Sequence, residues 1–136
     1  VEVVATGVIG APASIPLEAR LGRIYDGIAG VLDGFGPDIV VLEDLYTEYR
    51  FPRTAILMAH ARGVICLAAC QRNVAVMTLP PATVKRAIAA SGAASKEQIQ
   101  ASVQRMLALD RPPRPSHVAD ALALALTGLS RAGGFA

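Results

Sequence analysis

Ile39-Val-Val-Leu-Glu-Asp44 sets four consecutive apolar residues directly before two carboxylates. The run is too short for a helix, and its β-branched side chains favour extended backbone, so it reads as a strand. Continuous rather than alternating hydrophobicity predicts burial on both faces, as in a parallel sheet. Gly36-Pro37 ends the element before it. There Leu17, Leu21, Ile24, Tyr25, Ile28, Val31, Leu32 and Phe35 recur at steps of three and four. They form one apolar helix face, with Arg20, Arg23 and Asp33 off it. Ser14 is expected to cap this helix, with Pro16 near its first position. Residues 1–9 are rich in β-branched side chains and predict a strand.

Downstream, the pattern predicts a long helix over residues 53–69, with Leu57, Met58, Ala61, Val64, Ile65 and Ala68 inward. A strand over 74–79 is stopped by Pro80-Pro81, and a short helix covers 83–90. Ser95 and Gln98 match a capping box that opens a helix to about Leu109, with Ile99, Val103, Met106 and Leu107 inward. Arg111-Pro-Pro-Arg-Pro115 is a rigid linker. Ser116 is then placed to cap a last helix, apolar nearly all round and hence buried. Strands alternating with helices define an α/β fold. At 136 residues, with no internal repeat, the expectation is one domain.

The apolar runs are interrupted, and none approaches the length of a membrane span. No cationic leader precedes an apolar stretch. Residue 1 is valine, which points to a natural start upstream. Cys66 and Cys70 share a helix face and are expected to be buried thiols of a reduced, cytoplasmic protein. The formal net charge of +2 hides an asymmetry. Residues 1–49 carry 2 basic and 8 acidic side chains, and residues 50–136 carry 11 basic and 3 acidic. Such a division suits a basic surface for a polyanion beside an acidic cluster able to hold metal.

Glu43 is the most informative carboxylate. Charged groups avoid the ends of buried strands unless something compensates them, and the carboxyl ends of strands are where α/β sites form. In Ser116-His-Val-Ala-Asp120, His117 and Asp120 lie three apart, so they share a face in a first helical turn, where a carboxylate meets the positive end of the dipole. Carboxylates with an imidazole at a sheet edge suit Mg²⁺ or Mn²⁺. Taken singly, each is also what a capping or solvated polar residue looks like.

Val41-Leu-Glu-Asp-Leu-Tyr46, Ala59-His-Ala-Arg-Gly63, Val84-Lys-Arg86, Ser95-Lys-Glu97 and the segment from Pro113 to Thr127 resemble, in order, motifs of the RuvC family of Holliday-junction resolvases. The resemblance covers essentially the whole chain and is most specific in its last segment. It implies a ribonuclease-H-like α/β fold, a mixed sheet flanked by helices, and a homodimer cutting four-way DNA junctions. Glu43 and Asp120 would be metal-binding catalytic acids. His117 falls where many members carry aspartate and others histidine, so it would either ligate metal or transfer protons. The implied cofactor is Mg²⁺, with Mn²⁺ as substitute, two ions per site: one activates water and the other stabilises the leaving 3′ oxygen. The family's first catalytic aspartate has no counterpart, because Val1 aligns with the third strand; the opening strands are expected to precede it.

Lys85 and Lys96, the chain's two lysines, fall on the family's lysine positions and would contact phosphates, assisted by Arg86. Tyr46 matches a loop aromatic that stacks on bases at the opened junction centre. Implied partners are the junction itself and a branch-migration complex of RuvA and RuvB type proteins, in recombination and repair, with no membrane. Two other readings stay open: a related ribonuclease-H-like nuclease with another substrate, and a catalytically incomplete junction-binding module. A nucleotide-binding enzyme is disfavoured, since no Gly-rich loop follows a predicted strand.

Overall fold

The computed structural model describes residues 1–45 and 51–133. Seven elements follow one another: α1 (Leu17–Phe35), β1 (Ile39–Glu43), α2 (Pro52–Gln71), β2 (Ala75–Leu79), α3 (Pro81–Ala89), α4 (Lys96–Met106) and α5 (Ser116–Arg131). β1 and β2 pair in a two-stranded parallel sheet, the α/β arrangement expected. The chain divides into two compact units, one of residues 9–77 and the other of residues 1–8 with 78–136.

In the unit of residues 9–77, α1 packs on α2 around buried Leu32, Ala68 and Ala69, with Tyr25, Ile28, Val40 and Val74 against them. Gly36 ends α1 in the left-handed conformation (φ 57°), its N–H donating to the Leu32 carbonyl at 3.0 Å. A side chain there would be strained, which explains the glycine. Ser14 does not cap this helix. Pro16 occupies the cap, and Ser14 lies in the turn before it. Strand β1 is half-buried rather than covered on both faces.

Helix α2 departs further from expectation. Its apolar residues lie all round the axis, so no phase in the sequence selects an inward face. Only Ala68 and Ala69 are buried, while Leu57 and Met58, expected inward, are exposed, as are Ile56 (58%) and Leu67 (52%). By length and composition α2 is long and apolar enough to cross a membrane, although no uninterrupted apolar run is. The cysteines it carries are half-buried (Cys66) and exposed (Cys70), not buried as expected, because they lie on this uncovered surface.

A polar clip joins the two helices. Arg72 Nε lies 2.7 Å from Asp33 Oδ1, and its other nitrogens donate to Asp33 Oδ2 at 3.4 Å, the Tyr25 hydroxyl at 3.4 Å and the Ala68 carbonyl at 3.1 Å. The Tyr25 hydroxyl donates in turn to Gln71 Oε1. The hydrogen bond and charge of Arg72 hold the Asp33 carboxyl below its ordinary value. A depressed carboxylate stabilises the fold above its unfolded pKa, and the gain disappears as pH falls through the folded one. Asp33→Asn is therefore expected to lower Tm modestly at neutral pH. The gap to wild type should close in acid, below the ordinary carboxylate range; a gap independent of pH would show that the ion pair contributes nothing.

In the other unit, α5 packs on α3 and α4, which pack on each other. Its core holds Leu79, Val84, Ile88, Ile99, Val103, Val118, Ala119, Ala123 and Leu126. Thr127, a buried polar member, is satisfied by donating to the Ala123 carbonyl at 2.8 Å. The capping box is formed as expected: the Ser95 hydroxyl accepts from the Gln98 N–H at 3.1 Å, and the Gln98 side chain accepts from the Ser95 N–H at 2.7 Å. Met106, expected inward, is 49% exposed because α4 ends there. Ser116 is the first helical residue of α5 rather than its cap, which is Pro115. Residues 1–8 form no strand, since a ladder needs a partner and none among the described residues pairs with them. Val1, Val4 and Val8 are accordingly exposed.

Candidate active site

Glu43 is the last residue of β1 and is exposed, where the strand's apolar run stops. The neighbouring Asp44 carboxylate accepts from the Leu45 N–H at 2.8 Å, so it serves the local turn. His117 lies in the first turn of α5 and Asp120 just past it, and both are exposed. Between them Val118 and Ala119 are buried, at 8% and 0% exposure, and this anchors the turn with the two polar side chains on its outer side. The spacing of three thus does what the sequence suggested. Because Pro115 rather than Ser116 takes the cap, Asp120 is the fifth helical residue and lies past the first turn, so the helix dipole favours its carboxylate less than the sequence suggested.

The basic candidates lie in the same unit as His117 and Asp120. Lys85 is half-buried on α3 and Arg86 is exposed beside it, its side chain packed over Gly92 at 3.6 Å from where a Cβ would stand. Lys96 is the first residue of α4 and exposed. A cation there opposes the helix dipole, so the fold has no use for it, whereas an anion approaching that end meets both the lysine and the N–H groups of the first turn. Tyr46 lies outside the described residues, as do Tyr49 and Arg50.

Glu43 belongs to one compact unit and His117, Asp120, Lys85, Arg86 and Lys96 to the other. By type, two carboxylates and an imidazole suit a hard divalent cation. By grouping they do not yet form its site: among the described residues no three His, Cys, Asp or Glu side chains are close enough to hold a metal ion. Two apolar cavities in the unit with α5, of about 210 and 160 Å³, are lined by residues such as Val1, Leu122, Ala87 and Met106. Neither of these two cavities is lined by a candidate residue. Sequence reasoning missed the Tyr25–Arg72–Asp33 clip, whose members stand 39 and 47 residues apart and carry no local signal.

The family model described as crossover junction endodeoxyribonuclease RuvC matches residues 1–128. A protein of that name from Rhodopirellula baltica is 45% identical over 122 residues, covering 90% of this chain and 68% of its own length. Another from Thermotoga maritima is 43% identical over 119 residues, with 88% and 70% covered. The solved structure of Thermus thermophilus RuvC in complex with Holliday junction substrate superposes with a TM-score of 0.89 at 36% identity, covering 97% of this chain and 81% of that one.

Proposed function

This chain belongs to the RuvC family of crossover junction endodeoxyribonucleases, and from that premise we propose that its protein resolves Holliday junctions by paired hydrolysis of phosphodiester bonds. The observation that carries the reading is the family match running from Val1 into the end of α5, through every segment that bears a candidate residue. On this reading Glu43 and Asp120 are the catalytic acids this chain contributes. They and His117 are its donors toward Mg²⁺, or Mn²⁺ in its place, two ions per site. His117 can also accept or donate a proton at a ring nitrogen. Tyr46 stacks on bases at the junction centre. On this reading residues 1–136 by themselves bind without cutting, since among the described residues no three metal-ligating side chains come together.

The protein works as a homodimer in the cytoplasm, in recombination and repair, beside a branch-migration complex of RuvA and RuvB type. A two-fold dimer matches a junction that needs two related cuts. Helix α2 supports this assignment: Ile56, Met58 and Leu67 form exposed apolar surface, and the small residues Ala55, Ala59 and Gly63 permit close approach. The decisive experiment compares cleavage of a four-way junction with that of linear duplex by the full-length protein in Mg²⁺. Equal cutting of both substrates would refute junction resolution and leave a general nuclease.

Lys85, Arg86 and Lys96 hold the DNA backbone. Lys85→Ala and Lys96→Ala should each reduce the slope of log affinity against log salt by about one unit, because each variant neutralises one phosphate fewer. Both should slow cutting. A salt dependence identical to wild type would return them to the solvated surface.

A further inference from the structure

The strap between α4 and α5, with its Arg111-Pro-Pro-Arg-Pro115, is tied down along its length. At its start the Leu109 N–H donates to the Gln104 carbonyl at 2.9 Å, and the Leu109 carbonyl accepts from the Gln104 side-chain amide at 3.2 Å. Pro113, in the middle, is buried. At its end the Val118 N–H donates to the Pro115 carbonyl at 2.9 Å, with Val118 and Ala119 buried behind it. Three prolines fix φ along the strap. Its backbone therefore has little freedom left to lose when something binds.

Arg111 and Arg114 are exposed on either side of buried Pro113. Among the described residues neither has an ion pair or a side-chain hydrogen bond, although Asp110 is adjacent in the chain. The fold thus holds two unneutralised guanidinium groups on a stiff mount and makes no use of them itself. Chain geometry bounds where they stand. Three residues span at most roughly 11 Å and six at most roughly 22 Å, so Arg114 and then Arg111 lie within those distances of His117 along the backbone. A guanidinium fork matches phosphate oxygens in a bidentate pair, which a lysine cannot do.

We propose that Arg111 and Arg114 are a phosphate clamp that sets the register of the DNA strand passing His117 and Asp120, Arg114 nearer the cut and Arg111 farther along. The proposal rests on the resolvase reading. Both are positioning residues, acting on the strand rather than on the reacting atoms. Preorganisation is what separates them from ordinary surface arginines: the mount is already ordered, so binding sacrifices only side-chain freedom.

The test uses the full-length protein with labelled four-way junctions and duplex. It compares wild type, Arg111→Gln, Arg114→Gln, Arg114→Lys and, as an exposed control at the far end of α5, Arg131→Gln. Expected for each glutamine variant in the strap is a salt slope shallower by about one unit and a KM raised several-fold with kcat little changed. Arg114→Gln should also spread the cut over neighbouring phosphates. Arg114→Lys should restore the salt slope but not the single cut position, because it returns the charge without the fork. Strap variants that match wild type, or that change no more than Arg131→Gln, would overturn the clamp while leaving the resolvase reading intact. A wild type without preference for the junction over duplex would overturn both.

Discussion

Glu43→Gln and Asp120→Asn, each in the full-length protein, are expected to lower the rate of junction cleavage by about a hundredfold or more while leaving junction affinity unchanged or slightly higher. Even residues that merely support metal ligands cost about 10–100-fold on mutation, so removal of a donor should exceed that range. Each substitution is close to isosteric, and both residues are exposed, so neither disturbs packing. Each also removes a negative charge facing a polyanion, which relieves repulsion. The two readouts must therefore part company. Cleavage is measured in single turnover with Mg²⁺ and affinity in its absence, and calorimetric titration with Mn²⁺ follows cation binding directly. Cutting at the wild-type rate by either variant would remove that residue from the site. A parallel drop in affinity would instead make it part of the DNA-binding surface.

Residues 1–136 expressed alone are expected to show no Mg²⁺-dependent cleavage above background and a broad, poorly cooperative thermal transition. The first expectation follows from the donor set, since no group of three metal-ligating side chains assembles among the described residues. The second follows from what remains uncovered. Val1, Val4 and Val8 are 68%, 77% and 67% exposed, and residues 1–8 make no strand ladder. Full burial of each valine is worth about 1.5–3 kcal/mol, against a typical total stability of about 5–15 kcal/mol. Leaving all three in water forgoes a large share. Circular dichroism melting and a junction-cleavage assay on the purified fragment decide the matter. A sharp transition together with Mg²⁺-dependent cutting would refute both expectations and require another carboxylate to complete the site. Asp44 is the nearest candidate in sequence, and its Leu45 hydrogen bond would have to be shared or given up.

Much of this protein is legible from its residues. Helix α1 shows itself by an apolar period and a terminating glycine, and α4 by a capping box that the structure reproduces bond for bond. Both signals lie within a turn or two of the residues they govern, so no distant partner is needed to read them. His117 and Asp120 are likewise legible, because helical spacing alone puts them on one face, and the buried Val118 and Ala119 between them keep that face outward. Ser14 and Ser116 have the chemistry of helix caps yet stand a residue or two away from the cap position, because a proline at the helix entrance takes it in both cases.

What the chain cannot declare is whatever depends on a neighbour far away in sequence. Residues 1–9 have the composition of a strand, yet a strand exists only when another backbone pairs with it. Helix α2 is apolar on every side, so nothing local says which side is covered; contact with α1 buries Ala68 and Ala69 and leaves Leu57 and Met58 in solvent. Arg72 looks like any other surface arginine until folding brings Asp33 and Tyr25 to it from the preceding helix. Periodicity, capping and backbone restriction are properties of short segments and are written in the sequence. Burial, strand pairing and ion pairing are properties of two segments at once, and only the tertiary structure decides them.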